Sequence, residues 1–536
     1  MSNSAENIRY PIVFVTGIGQ TWATLRGSDC ERWNLVPSSK AVAFDSLDKK
    51  DKAAVISSAA KTAASLALGK VNSKELNTIL SKIMRCCIVD DNGNIPDDVD
   101  VRIYGARSLD VLGKTDFKSG KIDCNSRDTL RDRLIRDIPA EYISRDYGEE
   151  NMYCFNYCSF SNLYDDAEKL HSMIEDVIED QRTKTGADKV ILVPMSMGAT
   201  VVNAYLDLYY NNDGSAKGCN LVEKVISIVG AWQGSDALAD LLLASFADDA
   251  GDFLGKVFGK KVAAVFEKIG ADKARKLASQ VIDCFCESVL FKCSSFMALV
   301  TPEKFEAVNR KLVACPGVTD EVKRQALRYH KAQTNLESRL KAVNKVSKVD
   351  FYFICGFGLN FGDVTRDFSF LRLTKSAVET NSDSVIQISS TAPGTSFVKP
   401  GTRGFKEGRY VSPEGDISAA SSVFPDRCWY FEAQEHELGT NNTAVTLAGE
   451  IAMGRVDNID DSYPQFNGMR NINGVSELLE KADSAVKSGK LPEERCNEIS
   501  VCAEQVRLMM DNIVNNPDFD NLCINALKNE LSDILF

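Results

Sequence analysis

VILVPMSMGATVVNAYL, residues 190–206, runs from an apolar strand through a sharp Met-Ser-Met-Gly turn into a helix-forming stretch. A turn of this kind lifts the Ser196 hydroxyl above the end of a sheet. The helix that follows aims its first N–H groups and its dipole at charge developing on a nearby oxygen. Backbones crowd two residues before and two after such a serine, so small residues are wanted there. Gly198 meets the second requirement, and Pro194 stands where the first glycine of G-x-S-x-G is expected. Proline fits that place only where its missing N–H is not needed. Ser196 is therefore the candidate nucleophile.

Working outward, short β-branched and aromatic runs recur, each ending in a turn-rich loop. YPIVFV from Tyr10 ends in TGIGQTW, KVILV from Lys189 in PMSMG, KVISIV from Lys224 in GAWQGS, and VDFYFI from Val349 in CGFGLNFG. SVIQI from Ser384 follows ETNSD, and CWYFEA comes just before His436. Amphipathic helical patterns lie between them, such as Ala167, Leu170, Ile174, Val177 and Ile178. Strands alternating with helices predict an α/β fold, a mainly parallel sheet covered on both faces, with the site at the carboxyl ends of the strands.

Two stretches break the rhythm. Residues 40–90 read as polar and helical, and residues 236–348 as a long helical insertion. In the latter, Val262, Val265, Phe266, Ile269, Leu277, Val281, Phe285 and Val289 form one stripe of an amphipathic helix. The stripe either packs on its neighbours or belongs to a lid over a lipid-accepting cleft. From about residue 456 the composition shifts toward helices; Pro492, Glu493 and Glu494 suit a helix start, and Ile499, Cys502, Val506, Met509 and Ile513 its apolar face. The expected organisation is a core from two parts, 1–235 and 349–455, a helical cap at 236–348, and a C-terminal helical appendage at 456–536.

Three further features surround Ser196. Stabilising an oxyanion takes two converging N–H donors, one from the residue after the nucleophile and one from an early strand–helix loop; Met197 and Ile18 hold those positions. TGIGQTW lacks the third glycine of a dinucleotide fingerprint and the Gly-Lys-Ser/Thr of a phosphate loop. The chain has 3 histidines. His171 and His330 fall in helical segments, whereas His436 lies in EAQEHELGTNN after a strand and suits a general base. The acid that orients it is Asp383 in NSDSVIQISS, with Asp363 and Asp367 in FGDVTRDF as rivals. Cys284, Cys286 and Cys293 match no common zinc spacing, so no metal or cofactor is expected.

Composition narrows the class. The 536 residues carry a formal charge of -12, with no basic cluster to serve nucleic acid. The 16 cysteines are scattered without repeated spacing, and MSNSAENIRYPIVFV has no signal-peptide pattern, so reduced thiols in a cytoplasmic protein are expected. No apolar stretch approaches the ~20 residues that cross a bilayer. Contact with lipid would be peripheral, through the helical insertion.

Taken together, these blocks resemble the lecithin:cholesterol acyltransferase and phospholipase branch of the α/β-hydrolases, which shares features with bacterial triacylglycerol lipases. PIVFVTGIGQTW resembles the first strand and oxyanion loop; VRIYGARSLDVL and MYCFNYCSFSNLYDDAEKLHSMIEDVI resemble the approach to the nucleophile. ISIVGAWQGSDALADLL resembles the next strand and its Trp loop, NSDSVIQISSTAPG the acid turn, and EHELGTNN the histidine loop. The resemblance implies an α/β-hydrolase fold and a triad of Ser196, His436 and Asp383. It also implies oxyanion donors at Ile18 and Met197, and Trp22 and Trp232 as walls of an acyl site. The implied activity is hydrolysis of hydrophobic or lipid-like carboxylic esters. Acyl transfer by the same residues, or a non-catalytic binding role on the same fold, are the alternatives.

Overall fold

In a computed structural model, the described residues are 9–20, 22–25, 33–34, 47–83, 89–90, 99–100, 106–114, 140–243, 271–361, 380–436, 442–467, 479, 481–487 and 491–515. The frame is a seven-stranded sheet. Its strands are β1 (Ile12–Val15), β2 (Met152–Phe155), β3 (Val190–Pro194), β4 (Val222–Ile228), β5 (Asp350–Phe357), β6 (Cys428–Glu432) and β7 (Phe466–Asn467). They lie side by side in the order β7, β6, β5, β4, β3, β1, β2, and every pairing is parallel. In register, Val15 stands between Phe155 and Pro194, so the first strand, flanked by its neighbours, ends level with the nucleophile turn.

Side-chain alternation along these apolar strands divides the core in two. Val13, Val15, Tyr153, Phe155, Leu192, Phe351 and Phe353 pack on helices Leu163–Thr185, Gly198–Tyr209 and Leu336–Ser347. Ile12, Phe14, Cys154, Ile191, Val193, Ile226 and Ile354 face the other way, onto helices Glu141–Tyr147 and Asn442–Ala452. A buried sheet with helices on both faces is an α/β-hydrolase-like fold.

A third apolar cluster sits over the carboxyl ends of the strands. It combines helices Lys49–Ala67 and Ser73–Ile83 with helices Asp236–Leu243, Ala271–Ser288, Phe305–Ala314 and Asp320–Thr334. Two stretches far apart in sequence thus build one cap, pinned where Ser288 Oγ donates to Asn77 Oδ1 at 2.9 Å. Of the apolar stripe read in the insertion, Leu277, Val281, Phe285 and Val289 pack in this cluster; Val262, Val265, Phe266 and Ile269 lie outside the described residues.

Three local readings change. SVIQI is not a strand: the Val385 and Ile386 amides donate to the Asp383 side chain, and Ile388–Thr391 is a short helical turn. The sheet gains β2, a run of only four residues. It also gains β7, and there residues beyond 456 join the core. Tyr352 Oη donates to Asp457 Oδ1 at 2.7 Å, and Trp429 Nε1 to the Tyr463 carbonyl at 3.2 Å. Among the described residues, no helix is long and apolar enough to cross a membrane.

Candidate active site

Ser196 occupies the turn between β3 and helix Gly198–Tyr209 with a φ of +50°. That left-handed conformation costs a non-glycine residue about 1–2 kcal/mol. The surroundings hold it there: Met195 N–H donates to Val15 O at 3.0 Å, Ser196 N–H to Ile228 O at 3.4 Å, and Ala231 N–H to Ser196 O at 2.8 Å. A Cβ on Gly198 would sit 2.1 Å from the Val15 carbonyl oxygen, and one on Gly17 would sit 2.8 Å from Ser196 Cβ. Both glycines are required by close approach.

Pro194 is the last residue of β3 and is buried. Successive N–H groups of a parallel strand point to opposite neighbours. Since Met195 donates toward β1 and Ser196 toward β4, the Pro194 nitrogen faces β4. Its cost is one ladder bond, about 1 kcal/mol. The turn keeps its shape with that bond missing.

His436 and Asp383 converge on the serine. His436 Nε2 lies 2.8 Å from Ser196 Oγ, and His436 Nδ1 lies 2.8 Å from Asp383 Oδ2. The Asp383 carboxylate is fully buried; its Oδ1 accepts the amides of Val385 at 3.0 Å and Ile386 at 2.7 Å. The backbone adds a clasp, His436 N–H to Asp383 O at 2.9 Å. Gly356 lets the two loops pass each other, because a Cβ there would meet Gln434 O at 2.3 Å and Asp383 Cβ at 2.8 Å. Asp363 and Asp367 lie outside the described residues.

The other two histidines are elsewhere. His171 stacks on Tyr209 at 3.8 Å, and His330 on Phe305 at 3.9 Å, where desolvation lowers its pKa.

The loop after β1 is strapped to the end of β2 and closed on itself. Thr16 Oγ1 donates to Phe155 O at 3.2 Å, Tyr157 Oη donates to Thr16 O at 2.9 Å, and Gly17 N–H donates to Gln20 Oε1 at 2.8 Å. Ile18 begins the 3-10 turn Ile18–Gln20. Past the serine, the Gly198, Ala199 and Thr200 amides donate to the carbonyls of Met195, Ser196 and Met197, while no acceptor takes the Met197 N–H among the described residues. Sequence reasoning did not single out Gln20 or Tyr157; the role of Tyr157 depends on β2 lying beside β1, and Gln20 closes the loop from within.

Trp232 is fully buried, edge-on to Phe353, with its indole N–H donating to Ser227 Oγ at 2.8 Å. In this conformation protein surrounds it. Trp22 begins strand Trp22–Leu25, which pairs with Trp33–Asn34 and Val99–Asp100; its side chain lies outside the described residues. Cys284, Cys286 and Cys293 are buried in the cap cluster. Among the described residues, no group of three or more side chains could hold a metal ion.

A parallel sheet flanked by helices, with a serine on the strand–helix turn and a histidine and an aspartate brought to it by later loops, has the architecture of the α/β-hydrolase class. No family model matches the chain, and no curated protein does. Among solved structures, the one described as "The crystal structure of Tle4-Tli4 complex" is similar over 83% of this chain and 98% of that chain, at 11% identity and a TM-score of 0.34. A likeness that distant adds no weight to any reading of the site.

Proposed function

We propose that this protein is a serine carboxylic-ester hydrolase for hydrophobic, lipid-like esters. The observation that carries the reading is the chain of hydrogen bonds from Ser196 Oγ through His436 to the buried Asp383. His436 takes the proton as Ser196 Oγ adds to the ester carbonyl, then delivers it to the leaving alcohol. Water, activated by the same imidazole, releases the acid. Asp383 holds the imidazole in the required tautomer and stabilises its cation. The amides of Ile18 and Met197 are the donors proposed for the oxyanion. The cap cluster supports the apolar substrate: Met197 next to the serine, Ile18 of the loop after β1, and Val385 and Ile386 of the acid turn belong to the same buried group as the cap helices.

The test is fluorophosphonate labelling together with p-nitrophenyl ester turnover across chain lengths. Wild type should be labelled and turn over medium or long chains fastest. Ser196→Ala should lose labelling and at least about a thousandfold in kcat, as for other triad nucleophiles. Folded wild type that neither labels nor turns over ester would remove the proposal.

A further inference from the structure

Ser235 lies in the loop between β4 and helix Asp236–Leu243, outside the three residues just proposed to react. Its hydroxyl is buried and donates to the Val385 carbonyl at 2.6 Å. That carbonyl shares its peptide unit with the Ile386 N–H, which donates to Asp383 Oδ1 at 2.7 Å. One peptide unit therefore separates Ser235 from the acid's own hydrogen bond. Two parallel ties accompany it: Gln233 N–H donates to Ser390 Oγ at 3.0 Å, and Asp236 N–H to Gln387 Oε1 at 3.2 Å. The acid segment thus satisfies an N-terminal amide of helix Asp236–Leu243, which a helix cannot satisfy itself.

The same loop is held from its other side by the base of the helical insertion. Ser235 N–H donates to Leu299 O at 2.8 Å, Thr301 Oγ1 to Asp236 Oδ1 at 2.6 Å, and Lys304 Nζ to Asp240 Oδ1 at 2.7 Å. The approach is so close that a Cβ on Gly234, whose φ is +80°, would lie 2.5 Å from Leu299 O. Ser235 is the one residue here whose backbone meets the insertion and whose side chain meets the acid turn.

We infer that Ser235 is a positioning residue through which the base of the insertion sets the geometry of the Asp383–His436 pair. The inference rests on the proposed triad. A shift of the 297–301 segment moves the loop, the loop moves the Val385–Ile386 peptide, and the carboxylate loses the Ile386 N–H, one of its two amide donors.

The test compares Ser235→Ala, Ser235→Thr and Thr301→Val with Thr319→Ala. The last removes a helix cap, Val322 N–H to Thr319 Oγ1, within the insertion but away from this seam. Ser235→Ala should slow fluorophosphonate labelling about tenfold. It should also displace the pH midpoint of labelling, a readout that a purely structural loss would leave in place. Ser235→Thr, which keeps the hydroxyl, should restore both, and Thr301→Val should give the same shift at smaller size. Thr319→Ala should lower the melting temperature and leave the midpoint in place. Amide exchange at Val385 and Ile386, which needs no activity, should accelerate about tenfold in Ser235→Ala. Unchanged exchange and labelling in that variant would overturn the inference, as would a Thr319→Ala protein showing the same midpoint shift. Absence of labelling in wild type would instead strike the proposed function, with exchange still deciding whether Ser235 holds the acid turn.

Discussion

Ser196 is held in a conformation that its side chain disfavours, and the consequences can be measured. Ser196→Gly and Ser196→Ala both lose the hydroxyl, but only glycine is at ease at a φ of +50°. Ser196→Gly should therefore be the more stable of the two by about 1 kcal/mol, read as a higher denaturation midpoint, while both are inert to fluorophosphonate. Gly198 gives the opposite case. Its alanine variant must displace a backbone carbonyl 2.1 Å away, so it should lose about 3 kcal/mol in urea unfolding, and Ser196 labelling should fall more than tenfold. Gly198 was legible in the sequence as a small residue after the serine. The need for Gly17 and Gly356 was not: all three glycines are crowded by segments far away in the chain, and only Gly198 has a serine motif to mark it.

Strands and helices were legible to the extent that their periodicity was unambiguous. The runs at Tyr10, Lys189, Lys224, Val349 and Cys428 are all strands of the sheet, because nothing local competes for their amides. SVIQI has the same composition and fails, because Asp383 captures two of its N–H groups. A second buried carboxylate marks the junction of helix Leu163–Thr185 with the cap. Asp166 accepts from the Ser161 hydroxyl and from Lys169 Nζ at 3.1 Å, and the Ser161 carbonyl accepts from Ser295 of the insertion. Burial pushes its pKa up to about 6. Since the ordinary value is near ~3.9, the folded state binds the extra proton between about pH 4 and 6, and this contribution to stability is lost as pH rises through that window. Measured against Asp166→Asn, the wild-type denaturation midpoint should fall across that range. A constant difference between the two proteins would contradict it.

At the scale of the whole molecule, three apolar clusters among the described residues account for where reactive groups are and are not accessible. Two lie on the faces of the sheet and the third fills the cap. Cysteines in those clusters are shielded and poorly ionised: burial pushes Cys286, Cys293 and Cys428 up to about 12, whereas Cys219 is exposed. Alkylation of the native protein at pH 8, mapped by peptide mass spectrometry, should find Cys219 modified early. The three buried thiols should be modified only after denaturant is added. Early modification of Cys293 in the native protein would mean that the cap opens far enough to expose its own core.

By itself, the sequence determined the α/β architecture and the strand-to-helix turn at Ser196, because each is written in short-range periodicity and turn chemistry. Tertiary structure alone decided the rest: the neighbours of each strand, the joining of residues 49–83 and 271–334 in one cap, and the hydrogen bonds linking Ser196, His436 and Asp383. Those features depend on contacts between segments tens to hundreds of residues apart. Their stabilisation is realised only when the whole sheet has formed, and no local pattern encodes it. The sequence left Asp383, Asp363 and Asp367 as rival partners for His436; the hydrogen bond to Asp383 arises because β5 and β6 lie side by side and Gly356 leaves room for both loops.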